Sequence, residues 1–152
     1  KVIVTQWVLQ PEGFPLEQPP PAQLPSHQFT LLHVYGSLFF AAAKNMEEML
    51  PAVGDANGAV VAINLRGKSE IGSTFVTVLQ RYSQALQARQ GKLMLVGVDP
   101  LVHDQLAKTG VLRLIGAENV FVATPQLGEA LNHAVAAANA WLARPPVQEP
   151  QR

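Results

Sequence analysis

The sequence predicts an α/β fold, in which a mixed, mostly parallel sheet of about five strands is covered by about four to five α-helices. Two observations carry this prediction. Residues 59–65 and 93–98 are nearly continuous apolar runs of strand length, as in strands that are buried on both faces of a parallel sheet. Residues 74–90 lie between these runs and have apolar side chains at helical spacing, so strands alternate with helices along the chain.

The first 28 residues are the least regular part of the sequence. Residues 2–9 alternate loosely between apolar and polar side chains, which predicts a strand at an edge of the sheet. Residues 11–25 contain six prolines, and because proline cannot donate to a sheet ladder, an extended surface connector is expected there. Residues 29–34 form the next predicted strand, and the first strands, joined without a helix, are expected to pair antiparallel.

Helix breakers divide the middle of the chain. Residues 37–40 are predicted to be extended, and residues 41–50 are predicted to be a helix that ends at Pro51. The apolar side of that helix is expected to contain Ala42, Met46, Met49 and Leu50. Gly91 is placed to end the helix predicted for residues 74–90.

Asp99 gives the clearest helix start, because it combines a capping side chain with a proline at the first helical position. The helix that follows, Pro100–Thr109, is expected to end at Gly110. A short strand is predicted at Val120–Val122, and Thr124 followed by Pro125 repeats the pattern of cap and proline. The helix expected to start there buries Leu127, Leu131, Ala134, Val135, Ala138 and Trp141.

These elements divide the chain into three parts. Residues 1–28 are expected to form an N-terminal strand and a proline-rich connector, and residues 29–143 are expected to form the folded domain. Residues 144–152 are polar and rich in proline, which predicts a disordered tail. The chain does not begin with methionine and has no signal peptide, so we expect it to be a piece of a longer protein.

The composition excludes several classes of function. Eleven basic residues balance eleven acidic ones without a basic tract, which argues against nucleic-acid binding. The absence of cysteine excludes disulfides and thiolate metal sites. No apolar run approaches the roughly 18 residues that are needed to cross a bilayer.

No catalytic arrangement is evident in the sequence. The four histidines, His27, His33, His103 and His133, belong to no metal-binding motif, and we predict neither a metal site nor a cofactor. Nucleophile elbows and phosphate-binding glycine loops are also absent. An aspartate that accepts phosphate at the end of a central strand would fall near Asn64, and asparagine cannot take that role. The prediction is therefore that this chain is not an enzyme.

The candidate functional residues are Gly72, Ser73 and Thr74, which lie between a buried strand and a long helix. A helix N-terminus presents unpaired backbone N–H groups and the positive end of the helix dipole. We expect Ser73 or Thr74 mainly to cap the helix, with phosphorylation or contact with an anion or nucleotide as alternatives. Asp99 marks a second helix N-terminus, where capping is again the first interpretation.

Three segments resemble the STAS domain, in particular the C-terminal STAS domain of SulP-type anion transporters. Residues 35–43, Tyr-Gly-Ser-Leu-Phe-Phe-Ala-Ala-Ala, are similar to the Gly-x-Leu-Phe-Phe-Ala entry into the first helix of the transporter-linked domains. Residues 60–65 with residues 71–74 resemble the family's strand and its Ile-Asp-Ser-Thr-Gly loop. Residues 116–121 resemble its Gly-x-Glu-Asn-Val-Phe segment. The resemblance covers roughly residues 29–142 and implies a STAS-like fold.

The resemblance implies a non-catalytic regulatory and interaction domain on the cytoplasmic side of the membrane, in a fragment that is itself soluble. Its implied partners are the transporter's own membrane domain, a second copy in a homodimer, or a soluble regulatory protein. One alternative is an anti-sigma-factor antagonist that is phosphorylated at Ser73, and another is a weak nucleotide-binding module. Gly72 stands where the family has Asp, and Phe75 stands where it has Gly, which counts against the phosphorylation switch.

Overall fold

The computed structural model describes residues 1–39 and 43–145. These residues form one sheet with helices packed on both of its faces. The strands are β1 (Ile3–Val8), β2 (Leu16–Gln18), β3 (Phe29–Tyr35), β4 (Val60–Asn64), β5 (Lys92–Val98) and β6 (Val120–Val122). The helices are α1 (Ala43–Met49), α2 (Ser73–Gln87), α3 (Pro100–Thr109), α4 (Val111–Ile115) and α5 (Glu129–Leu142), with a 3₁₀ turn at Ala117–Asn119.

The strand order is β2-β1-β3-β4-β5-β6. From β3 to β6 every neighbouring pair is parallel, and β1 is antiparallel to both β2 and β3. Each parallel pair is joined through at least one helix, as parallel strands require. This arrangement confirms the predicted α/β class and the mostly parallel sheet.

The N-terminal part differs from the prediction in one respect, because β1 does not lie at an edge of the sheet. A short strand inside the proline-rich stretch, β2, pairs with it from outside through Gln6–Gln18, Trp7–Glu17 and Val8–Leu16. This strand fits between Pro15 and Pro19, whose missing N–H groups limit it at both ends. The sheet therefore has six strands where about five were expected.

The segment before α1 also differs from the prediction. Residues 36–39 form bends and an irregular stretch instead of continuing β3. Residues 40–42, including the predicted first residues of the helix, lie outside the described residues. Within α1 the apolar stripe is confirmed at Met46, which is completely buried, and Leu50 beyond the helix end is buried as well.

Side chains that alternate along the strands divide the interior into two cores. Leu32, Ile63 and Leu95 point to the larger core, which α2 and α4 help to close. Ala62 and Met94 point to the opposite face, where α5 packs against β4, β5 and β6. The two-sided burial explains why β4 and β5 read as continuous apolar runs in the sequence.

The predicted ends of α3 are confirmed, whereas the predicted role of Gly91 at the end of α2 is not. Asp99 caps α3 and Gly110 ends it in the left-handed conformation (φ 82°), as predicted. Gly91 does not end α2 in that way. A Cβ on Gly91 would lie 2.4 Å from the Ala59 carbonyl oxygen, so this glycine is required by the close approach of two strand starts.

The start of α5 was predicted incorrectly, whereas its buried face was predicted in part. The Thr124 hydroxyl accepts a hydrogen bond from the Gln126 N–H (3.3 Å) within a turn, and the helix begins only after Gly128, whose φ is 87°. Leu127 therefore lies outside the helix and is 82% exposed. The predicted residues Ala134 and Ala138 are buried, together with Ala130. Leu131 and Trp141 are partly buried against the same core, as predicted, and Val135 is only half-buried.

The C-terminal boundary can be described only in part. Arg144 lies over the Trp141 ring, with 3.5 Å between its guanidinium carbon and the ring centroid. The rest of the predicted tail, from residue 146 onward, lies outside the described residues. In the described ranges, no helix has the length and apolar character that a membrane crossing requires.

Candidate functional site

The loop between β4 and α2 is held by the rest of the chain on two sides. The Gln105 side chain on α3 donates to the Ile71 carbonyl (2.7 Å) and accepts from the Ile71 N–H (3.2 Å). On the other side, the Gly72 N–H donates to the Leu38 carbonyl at 3.1 Å. The predicted site therefore lies on a loop whose backbone position is fixed by hydrogen bonds before any partner binds.

Position 72 needs a glycine because there is no room for a side chain, and not because of its backbone angles. Its φ of −79° and ψ of 161° suit any residue, but a Cβ at this position would lie 2.5 Å from the Phe39 carbonyl oxygen. Real Cβ atoms do not approach a backbone oxygen so closely, and the opposing atom cannot rotate away. The backbone of residues 38–39 therefore leaves no room at position 72 for the aspartate of the Ile-Asp-Ser-Thr-Gly loop.

The capping prediction for Ser73 and Thr74 is wrong. The N-cap residue of α2 is Gly72, which makes no side-chain cap, and Ser73 is already the first helical residue. Since a capping side chain must precede the helix, neither hydroxyl can take this role. Ser73 is exposed and Thr74 is half-buried, and neither hydroxyl bonds to another residue in the described part of the chain.

Asp99 does what the sequence predicted and caps its own helix. Its carboxylate accepts a hydrogen bond from the Leu101 N–H at 2.8 Å, and Pro100 occupies the first helical position. Among the described residues, no hydrogen bond joins Asp99 to the Gly72–Thr74 segment. The link between the two predicted helix starts is Gln105, which lies on the helix that Asp99 caps.

His33 belongs to an aromatic cluster on β1 and β3. Its ring stacks on Trp7, with centroids 4.4 Å apart, and meets Tyr35 edge-on at 4.6 Å.

Across residues 1–39 and 43–145, no three His, Asp or Glu side chains come together in a group that could hold a metal ion.

A single carboxylate ties β2 to this cluster. Glu17 accepts hydrogen bonds from the Thr5 hydroxyl (2.8 Å), the Trp7 Nε1–H (2.9 Å) and the Tyr35 hydroxyl. The bond from Tyr35, followed by those from Trp7 and Thr5, lowers the pKa of Glu17, because each bond favours the ionised carboxylate. The same bond raises the pKa of the Tyr35 hydroxyl.

Burial and the nearby Lys68 ammonium lower the pKa of His33, against a weaker opposite effect of Glu17. Both leading causes disfavour an additional positive charge at this position. The Lys68 ammonium itself donates to the Gly36 carbonyl at 2.7 Å. His33 is therefore held mainly as neutral imidazole near neutral pH.

Sequence reasoning overlooked a cleft of about 270 Å³ beside this cluster. It lies between the stacked rings of Trp7 and His33 and the start of α5, at the carboxyl ends of β4 and β5. Asn64 and Arg66 contribute its polar groups. The available signal was Asn64, a polar residue that closes an otherwise apolar strand.

Comparison with known proteins identifies the family of this fold. The family model described as "STAS domain" matches residues 20–127. No curated protein matches the sequence.

Several solved structures share this fold. A sulfate transporter family protein from Wolinella succinogenes is 21% identical, with a TM-score of 0.63 over 80% of this chain and 92% of that chain. SLC26A9 and the murine Slc26a9 anion transporter in the inward-facing state are each 12% identical, with TM-scores of 0.62 and 0.63. This chain is covered to 91% in both comparisons but spans only 24% and 22% of those chains.

The family match extends over most of the sheet and the helices on its larger core, and the similarity of the fold to the solved structures agrees with it. The chain therefore belongs to the STAS domain family.

Proposed function

We propose that this chain is the regulatory and interaction domain of a membrane anion transporter of the sulfate permease type, located on the cytoplasmic side. The observation that carries the proposal is the family match over residues 20–127. It is supported by the shared fold with a sulfate transporter family protein and with the Slc26a9 anion transporter. In this proposal the domain forms contacts and performs no bond-making chemistry.

The surface of β1, β2 and β3 favours a role in contacts. Ile3 and Tyr35 are neighbours across the β1–β3 pair, and they are 49% and 40% exposed. On the outer strand, Glu17 pairs with Trp7 and lies on this same face of the sheet, whereas Leu16 pairs with Val8 on the opposite face. Adjacent apolar side chains that no helix covers suit contact with another macromolecule, and we assign this surface to the transporter's own membrane domain.

The coding sequence before Lys1 provides the first test. The proposal requires several apolar segments of roughly 20 residues there, each long enough to cross a bilayer. A start codon within a few residues of Lys1 would contradict it.

Cross-linking in the full-length protein provides the second test. This chain has no cysteine, so Ile3→Cys, at a residue that is 49% exposed, introduces a single thiol on the proposed contact surface. We expect it to cross-link to thiols placed in the cytoplasmic loops of the membrane domain and to reduce anion flux in proteoliposomes. Leu101→Cys on α3 is the matched control, because Leu101 is a comparably exposed aliphatic residue (64%) on a different element. Equal cross-linking of both variants would contradict the assigned surface.

A second candidate function is partner switching through phosphorylation of Ser73. The specific observation in its favour is that the Ser73 hydroxyl is exposed and is not used as a helix cap. Incubation with a lysate of the source cells and ATP, followed by mass spectrometry, tests it. We expect phosphate on Ser73 and none in the Ser73→Ala variant, with Ser69→Ala as a control at another exposed serine of the loop. An unmodified Ser73 would leave the transporter proposal unaffected and remove this one.

A further inference from the structure

The cleft beside Trp7 and His33 is separate from the Gly72–Thr74 loop and has a mixed character. Most of its lining is apolar, with Val96 at its base and Ala130 and Leu131 on the α5 side. The Trp7 ring, stacked on His33, forms the opposite wall. A cavity of about 270 Å³ with few polar groups resembles a small-molecule site in size and lining.

Asn64 supplies an unpaired donor in this cleft. The side chain belongs to a residue that is only 7% exposed, and its Oδ1 accepts a hydrogen bond from the Arg66 N–H at 3.0 Å. This bond fixes the orientation of the amide, so its NH₂ group is directed away from the Arg66 backbone. The NH₂ group makes no hydrogen bond to another described residue, so it can donate to a molecule bound in the cleft.

Arg66 supplies a positive charge that the protein does not neutralise. Its guanidinium donates to the Thr124 carbonyl at 3.2 Å. Within the described ranges the ion pair that forms is Arg81 with Glu47, and no carboxylate lies within ion-pair distance of Arg66. No acidic residue lines the cleft either, so its unsatisfied polar groups attract an acceptor with negative charge.

The start of α5 adds to the same preference. Gly128 precedes this helix of 14 residues and provides no side-chain cap. The Glu129 N–H donates to the Gln126 carbonyl (3.2 Å), and the next N–H groups of the first turn are left for solvent or a ligand. The positive end of the helix dipole thus borders the cleft on the side opposite Trp7.

We propose that this cleft binds a small organic carboxylate. The carboxylate lies between the Asn64 amide and the Arg66 guanidinium, and the apolar body packs between Trp7 and Leu131. An inorganic oxyanion would leave the apolar walls without contacts, and a neutral ligand would leave Arg66 without a counter-charge. The proposal does not depend on the assignment of the domain to a transporter.

The unaltered 152-residue chain allows a direct test by ¹H–¹⁵N NMR titration with benzoate. We expect saturable shifts of the Gly97, Gly128 and Leu131 amides. Benzamide has the same ring without the charge and should bind at least tenfold more weakly, and sulfate at equal ionic strength should not shift these amides. Equal binding of benzamide would overturn the proposal, and so would binding of sulfate in place of benzoate.

Two substitutions locate the binding groups. Arg66→Gln removes the charge, and Asn64→Asp keeps the acceptor for the Arg66 N–H while it replaces the donor by a negative charge. Both variants should weaken benzoate binding at least tenfold, whereas Arg113→Gln, at an exposed arginine on α4, should leave it unchanged. A folded Arg66→Gln variant that binds benzoate like the original chain would overturn the proposal. If a variant fails to fold, the comparison of benzoate with benzamide still decides.

Discussion

Helices α2 and α5 each begin at a glycine without a side-chain cap, and the surroundings of their first turns are opposite. At α2, the chain's own residues 38–39 lie against Gly72 and leave no room for a Cβ. At α5, nothing lies within 4 Å of a Cβ built on Gly128, and a cleft with unpaired donors opens beside it.

The comparison teaches that an uncapped helix start does not by itself identify a ligand site. The start of α2 carries the sequence motif, but its loop is already bonded to Leu38 and Gln105. The start of α5 carries no recognisable motif, yet it borders Asn64 and Arg66, whose hydrogen-bonding capacity is only partly used. Unsatisfied polar groups in a cavity are therefore the better indicator of a ligand.

The largest loss of stability is expected at Gly72, where the start of α2 is closely packed against residues 38–39. Gly72→Ala should lower the free energy of unfolding by about 3 kcal/mol, since the new methyl group collides with a backbone carbonyl that cannot move aside. Urea denaturation measures this loss. Gly67→Ala is the control: Gly67 has a φ of 86° and open space around it, so backbone strain alone should cost about 1 kcal/mol. If Gly72→Ala were as stable as the original chain, the α2 start would not be closed.

A smaller loss of stability should distinguish Asp99, which caps α3, from Ser73, which caps no helix. Asp99→Ala removes the acceptor for the Leu101 N–H and should cost about 1 kcal/mol. Ser73→Ala should change the free energy of unfolding by less than about 0.5 kcal/mol, because this hydroxyl caps nothing. Thermal and urea denaturation of the two variants side by side would show the difference. Equal losses would mean that Ser73 does cap α2.

The smallest expected effect on stability comes from His33, in the wall of the cleft beside Trp7 and His33, and it depends on pH. The pKa of His33 is lower in the folded chain than its ordinary value of 6.5, so the unfolded chain binds more protons below that value. The contribution of His33 to stability is therefore complete above about pH 6.5 and is lost as the pH falls toward the folded pKa. His33→Phe keeps a ring against Trp7 but removes this titration.

Urea denaturation of both proteins between pH 8 and pH 5 measures this contribution. The advantage of the original chain over His33→Phe should decrease toward acid. A difference that stays constant, or that grows as the pH falls, would show that the folded chain does not disfavour protonated His33.

The sequence predicted those features that depend on neighbouring residues. The apolar runs of β4 and β5 identified buried strands, and Asp99 with Pro100 identified the start of α3, because capping is a local interaction. Thr124 with Pro125 carried the same signal and was misleading, since Gly128 sets the start of α5 later. The strand β2 was missed because its three residues stand among prolines.

The cleft could not be predicted because its parts are distant in the sequence. Trp7 comes from β1, Asn64 from β4, and Leu131 from α5, and only the sheet order brings them together. The requirement for Gly72 was hidden for a similar reason, since the atom that excludes a side chain belongs to Phe39. Contacts across such separations leave no periodic pattern in a single sequence.

The short outer strand between Pro15 and Pro19 has a consequence for the behaviour of the protein in crowded conditions. An exposed sheet edge with a long row of unpaired backbone groups recruits other chains and promotes aggregation. Here the outermost strand offers only three residues, Leu16–Gln18, before a proline interrupts it on either side. A strand from a second copy could therefore pair with β2 over no more than three residues.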